Sequence, residues 1–172
     1  MPAPSPTVII RLTLVACAAL SCAGPGTSPT ASSASGAPAT LSLTVAPNPI
    51  VEDPTCICGG LPNRVSATGT VSVRETAGVP VRIDGLRATL TKAATGATTF
   101  VNDFTAADVA GHANGVNRIA AGETLRVIDV GGHYDLSLSG AATLTVDVRA
   151  TDDRDNIVTA TLAVPVVRGP VS

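Results

Sequence analysis

The chain has 172 residues, a formal charge of −2 and a charged fraction of 14%, with ten arginines and a single lysine, Lys92. Arg64, Arg74, Arg82 and Arg87 are dispersed among apolar and acidic neighbours, so there is no basic footprint of the kind that nucleic acid demands. Aromatics make up 2%, namely Phe100, Phe104 and Tyr134, so a core must be assembled from Val, Leu, Ile and Ala, and a carbohydrate site built on exposed rings has little to draw on. The length accommodates one domain plus appendages.

The chain opens "MPAPSPTVIIRLTLVACAALSC". One charge, Arg11, precedes an uncharged apolar run from Leu12 to Ser21, which ends at Cys22. A membrane-spanning helix needs about 20 such residues. A run of about 10 suits the hydrophobic region of a secretory signal. The stretch "AALSC" resembles the cleavage box of bacterial lipoproteins, with Ser21 as the small residue before the cysteine. Cys17, in "LVAC", is the competitor, but Arg11 lies so close before it that the apolar segment would be too short. The resemblance implies that residues 1–21 are removed and that Cys22 becomes the first residue, carrying diacylglycerol. Two or three acyl chains anchor stably, since each buried CH₂ contributes about 0.8 kcal/mol. Ala23 in place of Asp after the cysteine implies the outer membrane in a two-membrane cell. An ordinary cleaved signal is the alternative. Ala23 to Thr40, "AGPGTSPTASSASGAPAT", contains only Ala, Gly, Pro, Ser and Thr. Such a tract cannot bury enough surface to offset chain entropy, and residues 22–40 are expected to act as anchor and tether. Its reach is roughly 25 Å as a flexible coil and about 55 Å extended.

From Leu41 onward the apolar period is two. Leu41, Leu43 and Val45 share a face, and Pro47 and Pro49 then forbid a central strand. Val65, Ala67, Val71 and Val73 alternate, as do Val79, Val81 and Ile83. At Asp84-Gly85 the phase shifts and continues through Leu86, Ala88 and Leu90, which predicts a bulge within one long strand. "KAATGAT", Lys92 to Thr98, is a turn, and "TTFVNDF" a short strand. "FTAADVAGHANG" is the one candidate helical turn, with Thr105 and Asp108 spaced as a capping pair. A turn at Gly122 leads into a strand with Leu125 and Val127, and "GGH" at Gly131–His133 reads as a further turn. The final hairpin places Leu144, Val146, Val148 and Ala150 against Val158, Ala160, Leu162 and Val164, with Asp152 to Asn156 at the corner.

About seven short strands with almost no helix predict an all-β, antiparallel sandwich over residues 41–172. The stretch "LTVDVRATDDRDNIVTATLAV" resembles the last hairpin of the immunoglobulin-like modules of bacterial surface proteins, with Asp155 where their turn usually has Gly. The cysteine–tryptophan–cysteine core of antibody domains is absent.

Few residues point to chemistry. Cys56 and Cys58 lie in the turn-rich "DPTCICGGLPNR". In an exported chain whose Cys22 is acylated and whose Cys17 is cut away they are the remaining thiols, and oxidising surroundings favour a disulfide, local or between molecules. A bridge at this spacing would be strained and more reducible. Free thiols, metal binding and redox function stay open. Zinc would need two further ligands, and His112 and His133 lie on separate segments without ligand spacing, as surface loop histidines would. Asp152, Asp153, Asp155 and Asn156 are a weak Ca²⁺ candidate, because a hairpin tip supplies few of the six to eight oxygens required and the same residues are good turn formers. Asp84 and Asp129 have a similar turn explanation. No nucleophile elbow, metalloprotease helix or phosphate loop is present. These features predict a lipid-anchored cell-envelope module, on the periplasmic or extracellular face, with a binding, display or structural role and neither catalysis nor a cofactor. Its expected partners are the membrane, through the lipid, and an envelope or extracellular protein. The alternative is a small envelope enzyme or metal-dependent factor using Cys56, Cys58 and a histidine.

Overall fold

The most regular alternation in the sequence forms the most regular structure. A computed structural model describes residues 36–55 and 64–169. In it β8 (Ala142–Asp152) and β9 (Ile157–Val167) pair antiparallel, with Leu144 opposite Val164 and Val146 opposite Leu162. Asp155 takes the positive φ of 61° that the hairpin corner needs, which Asp tolerates better than most residues because its short side chain bonds locally.

The other strands are β1 (Leu41–Ala46), β2 (Ile50–Val51), β3 (Arg64–Glu75), β4 (Val81–Lys92), β5 (Thr98–Thr105), β6 (Arg118–Ile119) and β7 (Thr124–Asp135). They form two sheets. One has the order β1-β3-β7; the other runs β2-β9-β8-β4-β5, with β6 pairing to the start of β4. All pairings are antiparallel except the two-residue contact of β2 with β9, so the fold is an all-β antiparallel sandwich whose seven longer strands match the number expected. The two sheets share one apolar cluster: Val45, Val65, Val71, Val73, Val127 and Val130 from one side, and Val81, Ile83, Leu86, Leu90, Leu144, Val146 and Val164 from the other. Branched aliphatics suit this role because they pack well on a pleated surface. Phe104 and Tyr134 are buried too, leaving Phe100 partly exposed.

The phase shift at Asp84-Gly85 is a bulge. Ile83 pairs with Ala150 and Gly85 with Arg149, so β4 gains one residue on β8 and remains a single strand. The helical turn forms as α1 (Ala106–Gly111). Thr105 caps it with a complete box: its hydroxyl accepts from the Asp108 N–H, and the Asp108 carboxylate accepts from the Thr105 N–H.

The expectation for Gly131–His133 is corrected. These residues lie inside β7, with Gly131 opposite Thr68, Gly132 opposite Ala67 and His133 opposite Ser66. Asp129, expected at a turn, makes a bulge at φ 54°, where β7 gains one residue on β3. Asp84 likewise sits at a strand bulge. The glycines answer a need for space between strands: a Cβ on Gly131 would stand 2.0 Å from the Ala67 carbonyl oxygen, and one on Gly132 would stand 2.5 Å from the Phe100 ring.

The described residues make one compact unit. The last residues of the expected tether are held against it: Ala39 is buried and Thr40 accepts hydrogen bonds from the Thr76 N–H and hydroxyl. The signal region, Cys17, Cys22 and the Cys56–Cys58 stretch lie outside the described residues. Among the described residues no helix is long and apolar enough to cross a membrane.

Candidate functional site

Two depressions stand out on the surface of the described residues. The first, of about 540 Å³, lies on the outer face of the larger sheet. Register across four strands aligns Asp103, Arg87, Asp147 and Thr161 in one row, and Thr105, Gly85, Arg149 and Thr159 in the next. Gly85 carries no side chain, so the second row dips between its neighbours. Arg87 forms a bidentate pair with Asp103, at 2.5 and 3.0 Å, and the Thr161 hydroxyl donates to Asp147 at 2.6 Å. The pair is solvent-exposed and stabilises little. Arg87 holds the Asp103 carboxyl below the usual carboxylate range. The trough is a charge-balanced, hydroxyl-rich surface suited to polar contacts.

The second depression, of about 480 Å³, lies where the β7 bulge meets α1 and β5. It is lined by Ser66, Thr68, Asn102, His112, Asp129 and His133 among others, so the fold brings to one place the two histidines that sequence assigns to separate segments. His112 closes α1. Its Nδ1 lies 2.9 Å from the Ile128 carbonyl oxygen, and its own carbonyl accepts from the Ile128 N–H at 2.9 Å. A carbonyl can only accept, so Nδ1 is the donor in this contact. The ring meets Phe104 edge-on, with centroids 5.3 Å apart. Asn102 donates to the Gly131 carbonyl at 3.2 Å and ties β5 to β7. His112 is thus a helix-end residue and His133 a strand residue, and neither is on a free loop. Among the described residues no three His, Cys, Asp or Glu side chains converge on a position that could hold a metal ion. This wall offers hydrogen-bonding side chains from β3, β5, β7 and the end of α1.

At the β8–β9 tip the four oxygen-bearing residues do separate work. Asp152 is 3% exposed. Its carboxylate accepts from the N–H groups of Arg154 and Asn156 at 2.8 and 2.9 Å, from the Asn156 amide at 3.0 and 3.2 Å, and from the Ala39 N–H at 3.2 Å. Burial alone would push this acid up; the bonds from Asn156, Ala39 and Arg154 outweigh it and bring it down to about 2. Asp153 pairs instead with Arg118 at 2.6 Å, and Asp155 occupies the corner. Asn156 therefore presents its amide N–H to Asp152.

Two buried acids had no signature in the sequence. Glu75 is fully buried and accepts from the N–H groups of Ala77, Gly78 and Gly122 at 2.6, 2.9 and 2.9 Å, joining the β3–β4 turn to the one before β7. Burial pushes this carboxyl up, but the backbone donors, Gly122 first, hold it below its ordinary value. Glu52 is 3% exposed and accepts from the Tyr134 hydroxyl and from the Gly140 N–H, the latter at 3.0 Å. Burial, and then the neighbouring Glu52, raise the Tyr134 hydroxyl far above its ordinary value. Both acids are fastened to neutral donors within the fold.

No protein-family model matches the chain, and no curated protein matches it. Among solved structures, the chain resembles a Bordetella pertussis protein assigned as ApaA, with a TM-score of 0.53 and 13% identity over 78% of this chain and 98% of that one. At this identity the likeness concerns the fold, and it extends to nearly the whole of the other protein. A second similarity, to the CooA pilin subunit of enterotoxigenic Escherichia coli, has 18% identity over 76% of this chain and 99% of that one, but a TM-score of 0.27, too low to establish a common fold.

Proposed function

We propose that the chain is an exported, lipid-anchored module of immunoglobulin-like type that works at the cell envelope by binding or display, without catalysis. The observation that carries this reading is the order of the chain, a leader that resembles those of bacterial lipoproteins ahead of an antiparallel β-sandwich. In sequence, the apolar run ending at Cys22 and the Ala/Gly/Pro/Ser/Thr tract come before Leu41, where β1 begins. The outer face of the larger sheet, with its balanced charges and threonines, offers a polar contact area for an envelope or extracellular protein. Metabolic labelling with a radioactive fatty acid tests the anchor: wild type incorporates label and Cys22→Ala does not, whereas equal labelling of both refutes the choice of cysteine.

The pocket shared by His112 and His133 favours one second reading, a metal-dependent envelope factor that adds Cys56 or Cys58 to a histidine. Metal analysis of the purified chain separates the two. A stoichiometric ion that disappears in both Cys56→Ser and His112→Ala would replace the binding-module reading.

A further inference from the structure

The hairpin tip at Asp152–Asn156 grips the chain at its entry to the sandwich. The Arg154 guanidinium donates to the Ala37 carbonyl at 2.6 Å. Gly36 lies directly against that guanidinium, so closely that a Cβ there would stand 2.2 Å from Nη1. Asp152 accepts from the Ala39 N–H, Ala39 is 4% exposed, and Thr76 fastens Thr40 from the other side. Four consecutive residues from Ala37 onward are thus held at three points, and the side chain of Gly36 must be absent for the guanidinium to close over it.

This grip lies at one end of the strands. Val81 of β4 pairs with Asp152 at the tip, and Lys92 pairs with Ala142 at the other end. Twelve residues of extended strand separate the two ends by about 36 Å. The far end carries the Lys92–Thr98 turn, the Gly140 turn, and the paired, exposed Val51 and Val167. A linker with the composition of residues 23–35 reaches roughly 20 Å as a coil, less than the strand length. β1 begins at the hairpin end, with Leu41 opposite Glu75, and the grip on residues 36–40 takes five more residues out of the free linker. With the root fixed at the tip, the distance to the anchor is bounded at that end only.

We infer that the entry of the chain at the hairpin end, tightened by the Asp152–Arg154 clamp, orients the displayed sandwich, keeping that end toward the bilayer and presenting the end with the Lys92–Thr98 turn, Val51 and Val167 outward. The inference rests on the lipid-anchor reading. It is tested with the full lipidated chain, uniformly labelled with ¹⁵N, in nanodiscs containing a small fraction of gadolinium-chelating lipid. Amide relaxation is expected to be several-fold faster at Ala121–Glu123 and Arg154–Asn156 than at Thr95–Ala97 and Gly140. Arg154→Ala, which releases Gly36 and Ala37 but leaves Ala39 held by Asp152 and Thr40 by Thr76, is expected to lessen that gradient without abolishing it. Equal enhancement at both ends of a lipidated wild-type chain, or faster relaxation at the Thr95 end, overturns the orientation and leaves the anchor standing. Absence of enhancement in a chain that mass spectrometry shows to lack lipid overturns the anchor reading and the orientation together.

Discussion

Glu75→Gln tests how a fully buried carboxylate is kept in an otherwise aliphatic sandwich. Glu75 spends Oε1 on the Ala77 N–H and Oε2 on those of Gly78 and Gly122. A carboxamide has one acceptor oxygen. It can keep the Oε2 pair as neutral bonds, each weaker by about 1 kcal/mol, but it turns an NH₂ toward Ala77 and loses that bond, worth about 2 kcal/mol. The sum is about 4 kcal/mol. Ala77, Gly78 and Gly122 are exposed turn residues that water can reach, which lowers the expected cost to about 3 kcal/mol. Urea unfolding at pH 7 should show that loss, with a Tm lower by about 10 °C. The pH dependence gives an independent check. The folded-state pKa of Glu75 lies below its unfolded value, so its contribution is fully present above the unfolded pKa of about 4.3 and is lost as pH falls through the folded one. Gln does not titrate. The gap between wild type and variant should therefore be constant from pH 7 to about 5 and narrow below it. A variant within 1 kcal/mol of wild type at pH 7, or a gap unchanged at pH 3, would refute the reasoning.

Other substitutions probe the remaining features. Gly131→Ala places a methyl 2.0 Å from the Ala67 oxygen at φ 137°, whereas Gly96→Ala, at φ 67°, meets nothing within 4 Å. Denaturant titration should show a loss of about 4 kcal/mol or more for the first and about 1 kcal/mol for the second. Tyr134→Phe removes the hydroxyl donor to Glu52 while the Gly140 N–H stays in place, and should cost about 2 kcal/mol in the same assay. His112→Phe removes the Nδ1 bond to Ile128, and amide exchange of α1 should accelerate while the β8–β9 hairpin keeps its protection.

What the sequence disclosed and what it concealed divide by range. The β8–β9 hairpin, the Asp84 bulge and the Thr105–Asp108 cap depend on residues a few positions apart, and each was readable from alternation or spacing. "DVGGH" misled because Gly-Gly is ordinarily a turn signal. Here its cause lies in other strands, the Ala67 carbonyl of β3 and the Phe100 ring of β5, which no local pattern reports. Burial of Glu52 and Glu75 was hidden for a similar reason. An acid looks like a surface residue until remote turns bring N–H groups to it. β2 and β6, with two residues each, are too short for any period to register. The pocket that unites His112 with His133 exists because the bulge at Asp129 folds β7 toward α1, a contact between segments that sequence shows apart.

The account stands most directly on how the N-terminus is processed. Intact-mass spectrometry of the protein extracted from the membrane fraction, with the fragment that bears the new N-terminus sequenced, measures it in one experiment. The expected result is a chain beginning at Cys22, lacking residues 1–21 and heavier by a thioether-linked diacylglycerol, with or without a further acyl group on the amine. A chain beginning at Met1, without lipid and recovered from the cytosolic fraction, would contradict the account.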